Sequence, residues 1–293
     1  MPVPGSTFIL GFAVRYGGLA SAADLVQFRE GGSARTVHIA VTINSSGFLV
    51  VKRGSTVLAT ATTNAFLPSS WYYFEIKVVI HDTLGSVVCH LDGVNVSFST
   101  PLTGIDTRNG GTGIVDTFRI DGQSTSPYMM VDDLYLCDAT GTTNNDFLGN
   151  CVVESLLPQV GNGDLTGLTP STGTDHGAMV DDNPPTDDTD YNSGDTIGQT
   201  DCYNYPSLAL TGSILGVQTN LYTRKTDAGA RTVAATVRLG GTSLLGRGGR
   251  AADDLPVAQR GTRYQPGDRP GVDLRRHHGA AGGHEDRELA AWR

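Results

Sequence analysis

The chain has 293 residues, enough for two domains of roughly 100–150 residues, each able to bury a core without staples. Apolar residues make up 39% and charged residues 17%, with 38 glycines and only 3 lysines, a balance that suits strands and polar turns and is poor for long helices. The formal net charge of −9 argues against nucleic acid or an anionic membrane surface as partner, since both need clustered Lys and Arg.

No apolar run reaches the roughly 18 residues of a spanning helix, so membrane insertion is not expected. The opening MPVPGSTFILGFAVRYGG has no positive region before its apolar stretch and reads as a strand rather than a signal peptide. Thr7–Tyr16, 34–42, 47–53 and 56–62 follow as strands. The last two flank Gly54-Ser55 as a hairpin. Trp71 to Ile80 and Ser86 to Leu91 come next. Then Asp92-Gly93 precedes Val94 to Phe98, and Asp-Gly between alternating apolar residues signals a tight hairpin because both positions must tolerate positive φ. Thr117–Ile120 and 128–137 close this half. Nine strands with no helical period point to a two-sheet antiparallel sandwich.

A second unit begins near Phe147. A strand at 151–157 ends at Pro158, a polar stretch covers 161–199, and strands are expected at 213–224 and 230–239 around a hairpin loop at 225–229. The last fifty residues differ in kind: nine of the 18 arginines and three of the seven histidines lie there, and alternation stops. They read as an irregular Arg/Gly-rich tail. The codon table permits 271–292 to be read one base over as a string with an apolar pattern that the residues themselves lack, so a shifted reading frame, in the gene or in its reading, is the expectation. The expected organisation is a jelly-roll domain over 1–143, a second β-rich domain over 144–243 and a tail over 244–293.

Cys89, Cys137, Cys151 and Cys202 form no CxxC pair and fit no zinc spacing. Cys89 and Cys137 sit in strand-like runs and read as buried free thiols, as in a chain made in a reducing cytoplasm.

The stretch WYYFEIKVVIHDTLGSVVCHLDGV from Trp71, followed by VDDLYLCD from Val131, resembles the concanavalin-A-like or laminin-G-like jelly-roll domains of bacteriophage virion proteins. The segments GTTNNDFLGNCVVESLLP, DDNPPTDDTDY and GVQTNLYTRKTDAGART extend that resemblance over about residues 5–243. It implies an all-β fold, with an N-terminal concanavalin-A-like sandwich followed by a smaller β-sandwich. It implies a tail, fibre or capsid-decoration protein, made in the host cytoplasm and carried in the virion; the absence of a recognisable catalytic constellation makes a non-enzymatic role the expectation. Its partners would be other virion proteins and further copies of itself, with a host-surface glycan as a candidate ligand.

Candidate sites are few. Asp132 and Asp133 are candidate Ca²⁺ ligands, since hard cations take carboxylate oxygens; no other cofactor is expected. Successive strand residues point to opposite faces, so only one of the two should face a given pocket. The acidic run Asp181, Asp182, Asp187, Asp188 and Asp190 has no EF-hand spacing and reads as a solvated loop. Tyr203 and Tyr205 stand two apart, hence on one face of a strand, as candidate glycan or interface contacts. Trp71 and Phe74 read as core or rim residues. Glu75 stands without a partner acid, and no G-x-S-x-G or H-E-x-x-H motif is present. A glycan platform would be a concave, aromatic, uncharged groove on one sheet. A depolymerase would carry two carboxylates about 5–10 Å apart in a cleft.

Overall fold

In the computed structural model the described residues are 4–18, 22–31, 35–63, 65–120, 128–186, 188–208, 212–227, 230–239, 241–245, 249–250, 276–280 and 289–292. The chain divides into two compact units, Met1–Val152 and Val153–Arg293. It is all-β apart from one short 3₁₀ turn among the described residues.

The first unit contains β1 (Thr7–Tyr16), β2 (Ala23–Glu30), β3 (Thr36–Ile43), β4 (Leu49–Arg53), β5 (Thr56–Thr60), β6 (Trp71–Val79), β7 (Gly85–Leu91), β8 (Val94–Asn95), β9 (Thr103–Ile105), β10 (Thr117–Ile120) and β11 (Met129–Asp138). One antiparallel sheet has the order β11-β1-β6-β7-β8, with β9 also on β7. The other has the order β10-β2-β3-β4-β5. This is a two-sheet sandwich. Alternation along each strand sends one set of side chains between the sheets: Phe8, Leu10, Phe12 and Val14 from β1, Phe74, Ile76 and Val78 from β6, Ile39, Val41 and Ile43 from β3. Phe12 meets Phe74 edge to face with ring centroids 5.7 Å apart. Burying each such side chain contributes about 1.5–3 kcal/mol.

One strand of this sandwich, β2, is not visible as alternation. Its register against β3 slips between Asp24 and Val26 and again between Phe28 and Arg29. Two bulges in eight residues break the period of two on which a strand is recognised.

The second unit contains β12 (Val153–Leu156), β13 (Thr169–Pro170), the 3₁₀ turn Gly177–Met179, β14 (Asn192–Ser193), β15 (Thr200–Asn204), β16 (Gly216–Thr219), β17 (Thr232–Val233), β18 (Thr236–Leu239), β19 (Thr242–Leu245), β20 (Gly249–Arg250), β21 (Arg276–Ala280) and β22 (Leu289–Trp292). They form small antiparallel sheets, β12-β22-β16, β15-β21-β18-β19, β13-β14 and β17-β20. Leu156, Met179, Val180, Tyr203, Tyr205 and Val217 make its principal core.

The hairpin expected around 225–229 is not formed among the described residues. Instead β16 pairs with β22, and β18 pairs with β19 and β21. The tail thus supplies two strands that fill positions between strands of the second unit, while residues 251–275 and 281–288 lie outside the described residues. The first unit extends past 143 to Val152, because the residues after β11 fold back onto its sheet. All four cysteines are buried, and none is in a disulfide.

Candidate functional site

The outer face of the β11-β1-β6-β7 sheet carries the site. On β6, Phe74, Ile76 and Val78 turn inward, so Trp71, Tyr73, Glu75 and Lys77 take the other face. Register sets the rows across this face. Arg15 lies between Trp71 and Met130, Ala13 between Tyr73 and Asp132, and Gly11 between Glu75 and Tyr135.

Residues 146–151 cover part of it as a strap. Gly149 N–H donates to Glu75 Oε1 at 2.8 Å, and Leu148 N–H donates to the Tyr135 hydroxyl oxygen at 3.2 Å. Phe147 lies on the His90 ring with centroids 4.1 Å apart, and Lys77 reaches Asp146 at 3.1 Å. Glu75 is 1% exposed, and His90 Nδ1 lies 3.7 Å from its Oε2. The carboxylate read from sequence as solitary is therefore the anchor of the strap. Burial, and then the bond to Glu75, raise the Tyr135 phenol far above its ordinary pKa, so it remains a donor.

Beside Asn150 of the strap a cleft of about 350 Å³ opens on this face, lined by Ala13, Trp71, Tyr72 and Tyr73 from the sheet together with Asp92, Asp132, Asp133 and Asn150. Trp71 is not a core anchor: it is 48% exposed, because the inward positions of its strand are the even-numbered ones.

Asp132 and Asp133 both line this cleft, contrary to the alternation argument. Gly11 faces Tyr135 while Ala13 faces Asp132, so two residues of β11 share the place opposite Phe12. Asp133 adopts φ 54. That is a β-bulge with a left-handed residue, and it turns a second side chain toward the same side. The bulge is tied down by Asp133 N–H donating to Asp132 Oδ1 at 2.8 Å and by the Tyr73 hydroxyl donating to the Asp133 carbonyl at 3.0 Å. Burial keeps that phenol protonated by raising its pKa well above the ordinary value.

Asp92 and Gly93 have φ 51 and 76, the paired positive angles expected of an Asp-Gly hairpin turn. Asp92 Oδ1 accepts the Tyr73 N–H at 2.7 Å, and Asp92 N–H donates to the Tyr73 carbonyl at 2.8 Å. The turn thus fixes a carboxylate at the cleft, a placement the sequence signalled only as turn chemistry. Of its three aromatic residues Trp71 alone is largely exposed, since Tyr73 is buried and Tyr72 packs against Phe66 of the core, and the cleft is acidic. Among the described residues no group of three or more His, Cys, Asp or Glu side chains is arranged to hold a metal.

The other candidates fare differently. Tyr203 and Tyr205 do share a face, but it is the inner one: they are 0% and 6% exposed in the core of the second unit. They are not available as surface contacts, because this unit has few large apolar residues and uses its tyrosines to fill its interior. The Tyr203 hydroxyl donates to Asp201 Oδ2 at 3.2 Å, His176 Nδ1 lies 2.7 Å from the same oxygen, and Asn192 Nδ2 donates to the Tyr203 hydroxyl at 3.0 Å. In the acidic run, Asp188 pairs with Arg224 and Asp182 accepts the Thr186 hydroxyl at 3.2 Å; Asp187 lies outside the described residues.

No family model matches the chain, and no curated protein matches it. Among solved structures, Trypanosoma rangeli sialidase is 18% identical with a TM-score of 0.34 over 44% of this chain and 20% of that one. Sheep galectin-11 in complex with glycerol is 12% identical with a TM-score of 0.29, covering 45% and 91%. The botulinum neurotoxin serotype C1 binding domain is 10% identical with a TM-score of 0.28, covering 82% and 57%. The chain spans about a fifth of the length of the sialidase it matches. Likenesses at this level carry no functional argument.

Proposed function

We propose that the chain is a non-enzymatic structural protein of a bacteriophage virion, a tail, fibre or capsid-decoration component that acts by assembly and host-surface attachment. The residues of the resemblance support it, and so does one structural observation. Among the described residues β11 is the end strand of its sheet; Met130 and Val131 on it are 44% and 38% exposed, and Tyr128 just before it is 40% exposed. An end strand with apolar side chains is a ready template for a second chain. Glu75 supports the non-enzymatic side of this reading. It is held by Tyr135 and Gly149 beneath the strap, out of reach of substrate.

The test is light scattering of the purified chain. A stable closed oligomer that Val131→Lys converts toward monomer is the expected result. A monomer unaffected by that change, at concentrations up to those of an assembling particle, would remove the assembly argument.

A second reading is a glycan-binding adhesion module, favoured by the exposed Trp71 beside the cleft. A depolymerase would instead use the carboxylates of that cleft. Release of new reducing ends from a host polysaccharide separates these two readings.

A further inference from the structure

We propose that the cleft beside Trp71 is a saccharide site that takes uncharged or amino sugars and rejects acidic ones. The inference rests on the attachment side of the function proposed above and gives it an address and a ligand class.

A sugar ring presents an apolar C–H face and a rim of hydroxyls. The indole of Trp71, which lines the cleft and is 48% exposed, offers a flat π-face to the first. Large aromatic surface left in water beside a concavity is the informative exception to burial. The carboxylates of Asp92, Asp132 and Asp133 serve the second. Ionised carboxylates only accept hydrogen bonds, so they select donors: hydroxyl, amide N–H or ammonium. Asn150 adds a side chain that both donates and accepts. Three aspartates and no Lys or Arg line the cleft among the described residues; even with Arg15 in the row beside Trp71 the charge there is net negative, so a uronate, sialate or sulfate would meet like charge.

The volume of about 350 Å³ sits at the low end of the roughly 300–1,000 Å³ of small-ligand sites. It suits one or two sugar units. Ala13, the small residue between Tyr73 and Asp132 in register, leaves that space.

The groups are fixed before any ligand arrives. Asp92 exchanges two backbone-linked hydrogen bonds with Tyr73, and the Asp133 carbonyl accepts the hydroxyl of the same tyrosine. Tyr73 therefore positions both walls from one residue, and preorganisation lowers the ordering cost of binding.

The test is a glycan array on the full-length chain, followed by titration calorimetry with N-acetylglucosamine, galactose, glucosamine, glucuronate and N-acetylneuraminate and with oligomers of any hit. The expected result is binding of at least one uncharged or amino sugar and at least tenfold weaker binding of its acidic counterpart. W71A should lose tenfold or more and D132N several-fold, both with unchanged melting curves. N150A serves as a third variant should W71A fold poorly. An array with no uncharged or amino hit, preference for the acidic sugars, or W71A and N150A both binding like wild type would overturn the proposal. So would binding abolished by EDTA and restored by Ca²⁺, since the carboxylates would then be cation ligands rather than direct sugar contacts. Particle composition is measured separately. A chain found in virions that binds no sugar sinks this inference alone, and a sugar-binding chain absent from virions sinks the virion reading alone.

Discussion

The hydroxyl of Tyr135 donates a 2.5 Å hydrogen bond to Oε1 of Glu75, a carboxylate 1% exposed on the outer face of the first sheet. That bond joins β11 to β6 across Gly11 of β1, and the strap from Asp146 to Cys151 closes over it. Removing the donor leaves a buried acceptor short of a partner. Tyr135→Phe is expected to cost about 1–3 kcal/mol of stability. Glu75→Ala should cost more, because the strap loses its anchor as well. Urea unfolding midpoints at unchanged slope check both.

Glycine requirements separate two causes. A Cβ on Gly11 would stand 2.2 Å from Tyr135 Cε1, and that ring is pinned by Glu75. A Cβ on Gly93 would meet nothing within 4 Å, but the residue sits at φ 76. G93A should therefore cost about 1–2 kcal/mol, the left-handed penalty alone. G11A should cost more through a clash that the fixed ring cannot relieve. Thermal melts of the two variants give the order; the reverse order would mean the Tyr135 ring moves freely.

Acid should act on the two units with opposite sign. The Thr112 backbone N–H, the Thr112 hydroxyl, Gly113 N–H and His38 together hold the Glu30 carboxyl below its ordinary 4.5, against the pull of burial. A depressed folded value means its contribution is complete above 4.5 and is lost as pH falls through the folded value. E30Q should flatten the acid limb of the first unit's stability. Burial, then neighbouring aspartates, raise Asp181 and Asp190 above 3.8. Their contribution is present below 3.8 and is lost as pH rises through the raised values. D190N should make the second unit more stable at neutral pH. Melting temperatures across pH 3–8 check both signs.

The change of composition over 244–293 makes a chemical prediction. If the reading frame is shifted only in the recorded sequence, the intact mass of protein isolated from its natural source will differ from that of the 293 residues. Peptides will then match the shifted frame over 271–292. A mass equal to that of the given chain would place any shift in the gene itself.

Much of the fold was legible because strands announce themselves by alternation and Asp-Gly by its turn. Thr7–Tyr16 and the Asp92-Gly93 hairpin appear in the structure where the pattern put them, and the strand expected over Trp71 to Ile80 ends one residue earlier, at Val79. Alternation failed where bulges interrupt it, in β2 and at Asp133. The second failure hid the cleft, since strict alternation cannot put Asp132 and Asp133 on one side. Side-chain direction in β6 was legible and was missed: Glu75 and Lys77 fall in phase with Trp71, whereas Tyr72, Phe74, Ile76 and Val78 carry no charge, so alternation alone puts Phe74 inside and Trp71 outside, and reading both as core or rim residues overlooked it. Glu75 was illegible for a different reason. Its partners Tyr135 and Gly149 lie 60 and 74 residues away, and only the returning strap brings them together. Tyr203 and Tyr205 were read to the correct shared face and the wrong side of it, because pattern gives periodicity and not direction.

The most direct measurement is quantitative mass spectrometry of purified phage particles from a host culture producing this chain. The account predicts peptides from both units at a fixed copy number per particle, in ratio with the known structural proteins and retained after stringent gradient purification. Absence from the particles, or a copy number that falls with each purification step, would contradict it.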